Sequence, residues 1–423
     1  MESTVTIPLL KDHHSHPLFY SAFNHAISLN AVKTKQAAEQ ILSQSFEHQT
    51  GGLTVAHGWR SNRYHWTQAE MELMPPLAVF NVSLHSLLIN RGGMDYLRLK
   101  YGDTVNQIAD PVWYENNLRV VLNWFANLYA SRENLTQFFA QLKEIGIHYL
   151  EEMLLVDENE IKIFEDCNLL NRTRFWSAPD IFQSLSPQAK TQVHGLKLFT
   201  DGAIGSESAA LHRPFLTGKK TNRGMLIYTD PELTKTIEHC LETEKSLAIH
   251  AIGDRAIEQT LSTLMHLKPR LVRAPEIRIE HAQLITEEQA SVAIDLGIKL
   301  CMQPNFSSDS SNYADRLDHA YCLGNNPFRM LIDKIGYTPG ENLLLGSDGM
   351  PHGIESAAQH SFFPEIPSQQ ISISEFIAAY CLDDFSQGSI RLKIDESIKT
   401  VGYDILPPQQ QQSDSPGTIE NNS

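Results

Sequence analysis

Asp230-Pro231-Glu232-Leu233-Thr234-Lys235-Thr236-Ile237-Glu238-His239-Cys240-Leu241, followed a few residues on by Ser246-Leu247-Ala248-Ile249-His250, is the stretch that decides the fold. Asp230 reads as an N-cap with proline at the first helical position, and Leu233, Ile237 and Leu241 fall on one helical face. The apolar run after it is short and ends on a histidine, so the pair reads as a helix feeding a buried strand. The same sentence is spelled again downstream. Thr286 and Gln289 have capping-box spacing, Ala290, Ala293 and Ile294 continue a buried face, Gly297 stops the helix, and Ile298–Met302 is the next apolar run. Helix alternating with short apolar strand predicts βα units around a parallel sheet.

Outward from this core, further candidate strands are Val5–Asp12, Leu53–His57, Leu77–Ser83, Gly195–Thr200, Glu276–His281 and Asn342–Asp348, each ending in polar or ionisable residues. That habit belongs to the α/β class and specifically to a (β/α)8 TIM-type barrel, whose chemistry gathers at the C-terminal ends of the strands. Between about residues 95 and 187, helical patterns such as Leu135–Gly146 mix with polar stretches, and one or two barrel strands plus an insertion are expected there. From about Gly402, Pro407-Pro408, the run Gln409–Gln412 and Ser/Asp/Asn punctuation cannot bury a core. The expected organisation is therefore a barrel over 1–401 and a disordered polar tail over 402–423.

The chain has 423 residues, 42% of them hydrophobic, enough for one large barrel. Its net charge of −16 is spread along the chain and argues against a nucleic-acid partner. Five single cysteines, none in a C-x-x-C pair, suggest neither a disulfide framework nor a structural zinc knuckle. The first residues lack a basic segment and a long apolar core, and no apolar run reaches the roughly 18 residues of a membrane span. A cytoplasmic protein without a membrane partner is expected.

The strongest chemical signal is Asp12-His13-His14-Ser15-His16-Pro17 at the end of an apolar run. On a strand, alternate side chains share a face, so His14 and His16 can offer imidazoles to one ion while His13 and Ser15 point away. Two ligands do not make a site, and an isolated histidine pair is as readily solvated. Three more runs, however, end in ligand-capable residues at His250, His281 and Asp348, where a parallel barrel aims them at one mouth. Each histidine alone is equally compatible with a hydrogen-bonded structural role. Lys197, inside Gly195-Leu196-Lys197-Leu198-Phe199, sits in what reads as a buried strand, where an ammonium group is costly unless paired, chemically changed or reaching solvent.

Taken with Leu196–Leu211, Ile249–Ala256, Arg278–Gln283 and Gly346–Pro351, the Asp12–Pro17 motif resembles the YtcJ-like branch of the amidohydrolase superfamily, the amidohydrolase 3 family, in order and spacing. Weaker similarity at Val55–Trp59 and Leu84–Asn90 extends the resemblance to about residues 12–351. The resemblance implies that His14 and His16 end barrel strand one, Lys197 lies on strand four, and His250, His281 and Asp348 end strands five, six and eight. It implies one or two divalent metal ions, with Zn2+ suited to the mixed imidazole and carboxylate ligands. Lys197 would be carboxylated and bridge the metals, and Asp348 would be the general base for a metal-bridging hydroxide. The reaction implied is hydrolysis of a carbon–nitrogen bond other than a peptide bond, in a small amide, formamide or cyclic amide. Gln303 and Asp309, Glu207 and Arg213, and His85 with Asn90 match more weakly; His85, Glu207 and Gln303 are the candidate substrate contacts. Trp59 and Phe306 are candidates to line an apolar pocket.

Two departures from the family pattern stand out. Its members carry strands before the H-x-H motif and after the barrel that build a small β-sandwich, and here that sandwich is expected to be absent or severely reduced. A homodimer would be one way to cover the exposed barrel face. An alternative reading is a catalytically impaired barrel kept as a binding or regulatory protein. A mononuclear deaminase of the same superfamily is disfavoured because His250-Ala251-Ile252-Gly253 lacks the glutamate of His-x-x-Glu. No G-x-G-x-x-G follows a strand, and neither a phosphate loop nor a G-x-S-x-G nucleophile elbow is present.

Overall fold

The computed structural model describes residues 2–24, 26–46, 52–61, 63–82, 84, 86–110, 113–114, 117–217 and 221–408. Its centre is an eight-stranded, all-parallel, nearly closed barrel with strands in chain order: β1 Leu10–Ser15, β2 Ile147–Leu155, β3 Thr173–Ser177, β4 Val193–Phe199, β5 Ser246–Ala251, β6 Ile277–His281, β7 Lys299–Met302 and β8 Leu343–Leu345. The helix and strand that opened the sequence reading are present as Asp230–Leu241 and β5, although the cap is Thr229, which makes a capping box with Glu232. Thr286 and Gln289 form the expected capping box.

The seam between β8 and β1 is closed by side chains and single backbone bonds. Asp348 N–H donates to His14 O at 2.8 Å. Asp12 accepts from Ser347 N–H (2.9 Å), Ser347 Oγ (2.5 Å), His14 N–H (3.2 Å) and the Tyr380 hydroxyl (3.3 Å). Gly346 is required at this seam, because a Cβ there would lie 2.6 Å from His14 N and 2.9 Å from Asp12 Oδ1.

Two candidate strands belong elsewhere. Thr54–Trp59 and Leu77–Asn81, together with Ile27–Ser28 and Leu87–Ile89, form a separate four-stranded sheet in the stretch between β1 and β2. Its two faces bury different clusters: Val55, Ala78 and Phe80 pack with Phe19, Phe23 and Phe125, whereas Ala56, Leu77 and Val79 pack with Leu29, Leu42 and Trp59. The extra structure therefore begins well before residue 95, and the 95–187 stretch contains both β2 and β3. β2 was hidden because Glu151 and Glu152 interrupt its apolar run; both are buried.

A three-stranded antiparallel sheet of Glu2–Pro8, Ser389–Asp395 and Thr400–Leu406 is what stands in place of a sandwich. Ile390, Leu392 and Ile394 face the barrel's hydrophobic core while Arg391 and Lys393 are exposed. This corrects the boundary at 402, since Gly402–Leu406 are paired strand. Gly402 and Asp404 break up the apolar residues of Thr400–Leu406, which concealed it. The rest of the expected tail, 409–423, lies outside the described residues. No helix among the described residues is long and apolar enough to cross a membrane.

Candidate metal centre

Every proposed ligand lies at or near the C-terminal mouth of a barrel strand. One imidazole nitrogen each of His14 and His281 and an Asp348 oxygen all lie within 4.8 Å of one another. His16 Nε2 is 3.2 Å and His14 Nε2 3.6 Å from Asp348 Oδ1. The His281 ring centroid is 4.7 Å from that of His14 and 4.5 Å from that of His250. Lys197 reaches the same cavity, 2% exposed, with its Nζ over the Phe199 ring and without a hydrogen-bond partner among the described residues. His281 and Asp348 hold φ of +70° and +55°, left-handed values that side-chain-bearing residues avoid, so the backbone is bent where the ligands are presented.

The outer nitrogens of the imidazoles are fixed from behind. His14 Nδ1–H donates to Glu280, which can only accept when ionised. His281 Nδ1–H donates to Gln303 Oε1 at 2.8 Å, and Gln303 is oriented by its own bond to Cys301 O. His250 Nε2–H donates to Gly202 O at 3.2 Å, which leaves Nδ1 for a ligand. His16 Nδ1 is buried and unpartnered, with Glu152 Oε1 3.9 Å away.

Electrostatics prepares the same donor set. Burial, reinforced by Lys197, lowers His14 to about 4 against the pull of Glu280, and burial with the neighbouring imidazoles holds His281 well below its ordinary range. Neutral imidazole is the form that ligates. Burial opposes the charge on Asp348, but the His16 hydrogen bond and the three nearby histidines outweigh it and hold the carboxyl well below its ordinary range. Burial lowers Lys197 to about 8 against the attraction of Glu280 and Asp348.

Beneath the ligands lies a buried ionic layer that the sequence reading missed. Arg278 is fully buried and bridges Glu280 and Glu151 (2.9 Å), donates to His13 O at 3.0 Å and lies 4.3 Å from the Trp176 ring centroid. Trp176 Nε1–H and His13 Nδ1 also reach Glu151, at 2.7 and 2.9 Å. A signal was available: in Ile277-Arg278-Ile279-Glu280 the two charges alternate with two isoleucines, so both project from the face opposite the apolar one.

The second-rank residues scatter. Gln303 acts through His281, as described. Glu207 is tied to Thr217 and Asn222 in the loop after β4. Arg213 pairs with Asp318 at the surface, and Asn90 caps the helix Arg91–Tyr101 through its bond to Gly93 N–H. His85 lies outside the described residues. Trp59, Phe306 and Asp309 do line a cavity of roughly 500 Å3 that reaches His250, His281 and Asp348, and the Phe306 ring stacks on His281 at 5.9 Å.

Residues 151–359 match the family model described as "Amidohydrolase family". The chain is 35% identical over 123 residues to "Putative amidohydrolase YtcJ" of Bacillus subtilis (strain 168), covering 29% of this chain and 23% of that protein. It is 29% identical over 205 residues to "Protein LONG AFTER FAR-RED 3" of Arabidopsis thaliana, covering 44% and 33%. The matched chain thus spans a third or less of each curated relative. Crystal structures of uncharacterized metal-dependent hydrolases from Pyrococcus horikoshii OT3 and Pyrococcus furiosus share the fold, each with TM-score 0.62 and 18% identity. They cover 85% of this chain and 74% of theirs, and 89% and 81%, respectively.

Proposed function

We infer that this chain, which belongs to the amidohydrolase superfamily as a YtcJ-like protein, is a metal-dependent hydrolase acting on the carbon–nitrogen bond of a small amide, formamide or cyclic amide. The observation that supports it best is the arrangement of the imidazoles. His14, His281 and His250 each spend one ring nitrogen on an acceptor outside the cluster, the habit of metal-ligating histidine. The unpartnered Lys197 Nζ is a buried polar atom that likewise fits a bound ion and its ligand shell.

His14, His16 and Asp348 would hold one divalent ion, and His250 with His281 a second; Zn2+ suits the donor set. Lys197, as an amine adding to CO2 with loss of a proton, would become a carbamate between them and would relieve the cost of its buried charge. Bound metal would supply Lewis acidity and lower the pKa of a water to about 7. Asp348 Oδ1, 3.2 Å from His16 Nε2, would accept a proton and then deliver it to the leaving nitrogen. Phe306 walls the mouth beside His281 and limits water there. Ile390, Leu392 and Ile394 cover one flank of the barrel, and light scattering would test whether a homodimer forms.

Elemental analysis of the purified protein tests the reading. About two equivalents of transition metal, falling sharply in Lys197→Ala and His281→Ala, are expected for a binuclear site. A folded wild-type protein that holds no metal after reconstitution with bicarbonate and Zn2+ overturns it and favours a degenerate, non-catalytic barrel.

A further inference from the structure

Two cavities meet at the candidate metal centre, and they differ in chemistry. Both are lined by His250, His281, Asp348 and Met350. The smaller, roughly 220 Å3, continues into an apolar wall that includes Leu84, Leu118, Leu122, Pro179, Phe199 and Ile227. The larger, roughly 500 Å3, carries three arginines, Arg60, Arg63 and Arg316. Apart from Asp348, its only carboxyl group among the described residues is Asp309.

The three arginines are not equivalent. Arg316 pairs with Asp315 at 3.1 Å and donates to Gly205 O. Arg63 donates to the carbonyls of Asn30 and Val32. Arg60 has no ion pair among the described residues, and its Nε is shut off from solvent without a hydrogen-bond partner. An unpaired buried donor costs stability unless a ligand satisfies it. Asp309 is a weak counter-charge, since burial pushes its pKa up to about 7 and its oxygen already accepts from Gln283.

We propose that the two cavities are two arms of one substrate site: the scissile group sits at the shared wall, an apolar substituent fills the leucine-lined arm, and a carboxylate fills the other on Arg60. The substrate class is an amide carrying an apolar group on one side of its carbon–nitrogen bond and a carboxylate on the other. This rests on the hydrolase reading for the bond that breaks and on the cavity alone for the ends that bind. A planar guanidinium recognises a carboxylate through paired N–H donors, so a carboxylate in this arm would give Arg60 the ion pair it lacks among the described residues, where a neutral group would not. Arg60, Leu84, Leu118 and Leu122 all come from the segment inserted between β1 and β2, so that insertion supplies residues to both arms.

The test separates binding from turnover with a non-hydrolysable pair. Calorimetric affinities of metal-reconstituted full-length protein are measured for 4-oxononanoic acid and its primary amide, 4-oxononanamide. Glycine release from N-hexanoylglycine is followed in parallel. The acid is expected to bind about tenfold to a hundredfold more tightly than the amide. That ratio should collapse toward one in Arg60→Gln and fall to an intermediate value in Arg60→Lys, which keeps the charge but not the paired donors, with metal content and circular dichroism unchanged. Equal affinities in the wild-type protein, which requires no variant, overturn the proposal, and so does a ratio unmoved by Arg60→Gln. Acid-selective binding without glycine release supports the carboxylate arm while counting against the hydrolase reading. Glycine release with no acid preference does the reverse.

Discussion

Arg278→Met is the substitution whose consequence the structure determines most closely. The side chain is fully buried, and its guanidinium is the common partner of two carboxylates that are themselves fully buried, Glu151 at 2.9 Å and Glu280. At 2.9 Å and an effective dielectric of about 20, one such attraction is worth about 6 kcal/mol before desolvation is subtracted. Measured losses on removing one partner of a buried pair, about 3–5 kcal/mol, are the better guide, because they include the stranded charge left behind. Methionine fills comparable volume against Trp176, so the loss is electrostatic rather than a cavity effect. Burial alone would raise Glu151; Arg278, with His13 and Arg174, reverses this and holds it well below 4.5. In wild type that depression is stability present above the unfolded pKa and lost as pH falls. Without Arg278 the burial penalty on Glu151 is opposed only by His13 and Arg174, so the variant gains less stability than wild type as pH rises past about 4.5. Urea unfolding followed by tryptophan fluorescence should therefore show a deficit of about 3–5 kcal/mol at pH 7 that shrinks toward pH 4. Pairing the change with Glu151→Gln should recover at least about 2 kcal/mol relative to the sum of the two single variants. A deficit under 1 kcal/mol, or one that does not vary with pH, would falsify the view that this layer is an interdependent ionic support.

Other expectations follow from single contacts. Gln303→Leu removes the acceptor that fixes the His281 tautomer and should weaken metal binding about 10–100-fold with little change in folding, measured by competition with a chelator. Asp309→Asn tests a raised carboxyl. Burial pushes Asp309 from 3.8 to about 7, so wild type loses stability as pH rises through that window and the variant does not. The full shift is about 4 kcal/mol, and contact with cavity water reduces the expected gain at pH 8 to about 1–2 kcal/mol by denaturant titration. Gly346→Ala places a Cβ against His14 N and Asp12 Oδ1, and should cost about 1–3 kcal/mol and lower metal content, since the seam it pries open carries the ligands.

What the sequence made legible was what strand periodicity can express. His14, His250, His281 and Asp348 each close an apolar run, and in a parallel barrel the ends of runs share a mouth, so four separate stretches predicted one place. Lys197 was legible as an anomaly, a charge within a buried strand. Periodicity does not say which sheet a strand joins. Thr54–Trp59 and Leu77–Asn81 have barrel-like patterns because both faces of their own sheet are buried, one against Phe23 and Phe125 and the other against Leu42 and Trp59. Glu151, Arg278 and Glu280 were overlooked for the opposite reason: charges on a strand suggest solvent, and only their mutual pairing makes burial tolerable. Gln303 was expected to face substrate, but its partner is His281, a contact between the ends of adjacent strands that linear spacing does not display.

The small sheet beside the barrel imposes an order of events on the growing chain. Glu2–Pro8 pairs along its whole length with Ser389–Asp395, and Leu382 N–H donates to Leu9 O, so a strand made before the barrel must wait for residues made after it. His14, a few residues farther on, waits for Ser347 and Asp348 before its strand has a neighbour on that side. Long sequence separation between partners slows folding and leaves apolar segments uncovered meanwhile. Until Ser389–Asp395 has been made, Glu2–Pro8 stays unpaired, and that interval is when capture by a chaperone, or premature metal binding to the exposed His14-Ser15-His16 segment, would have its greatest effect.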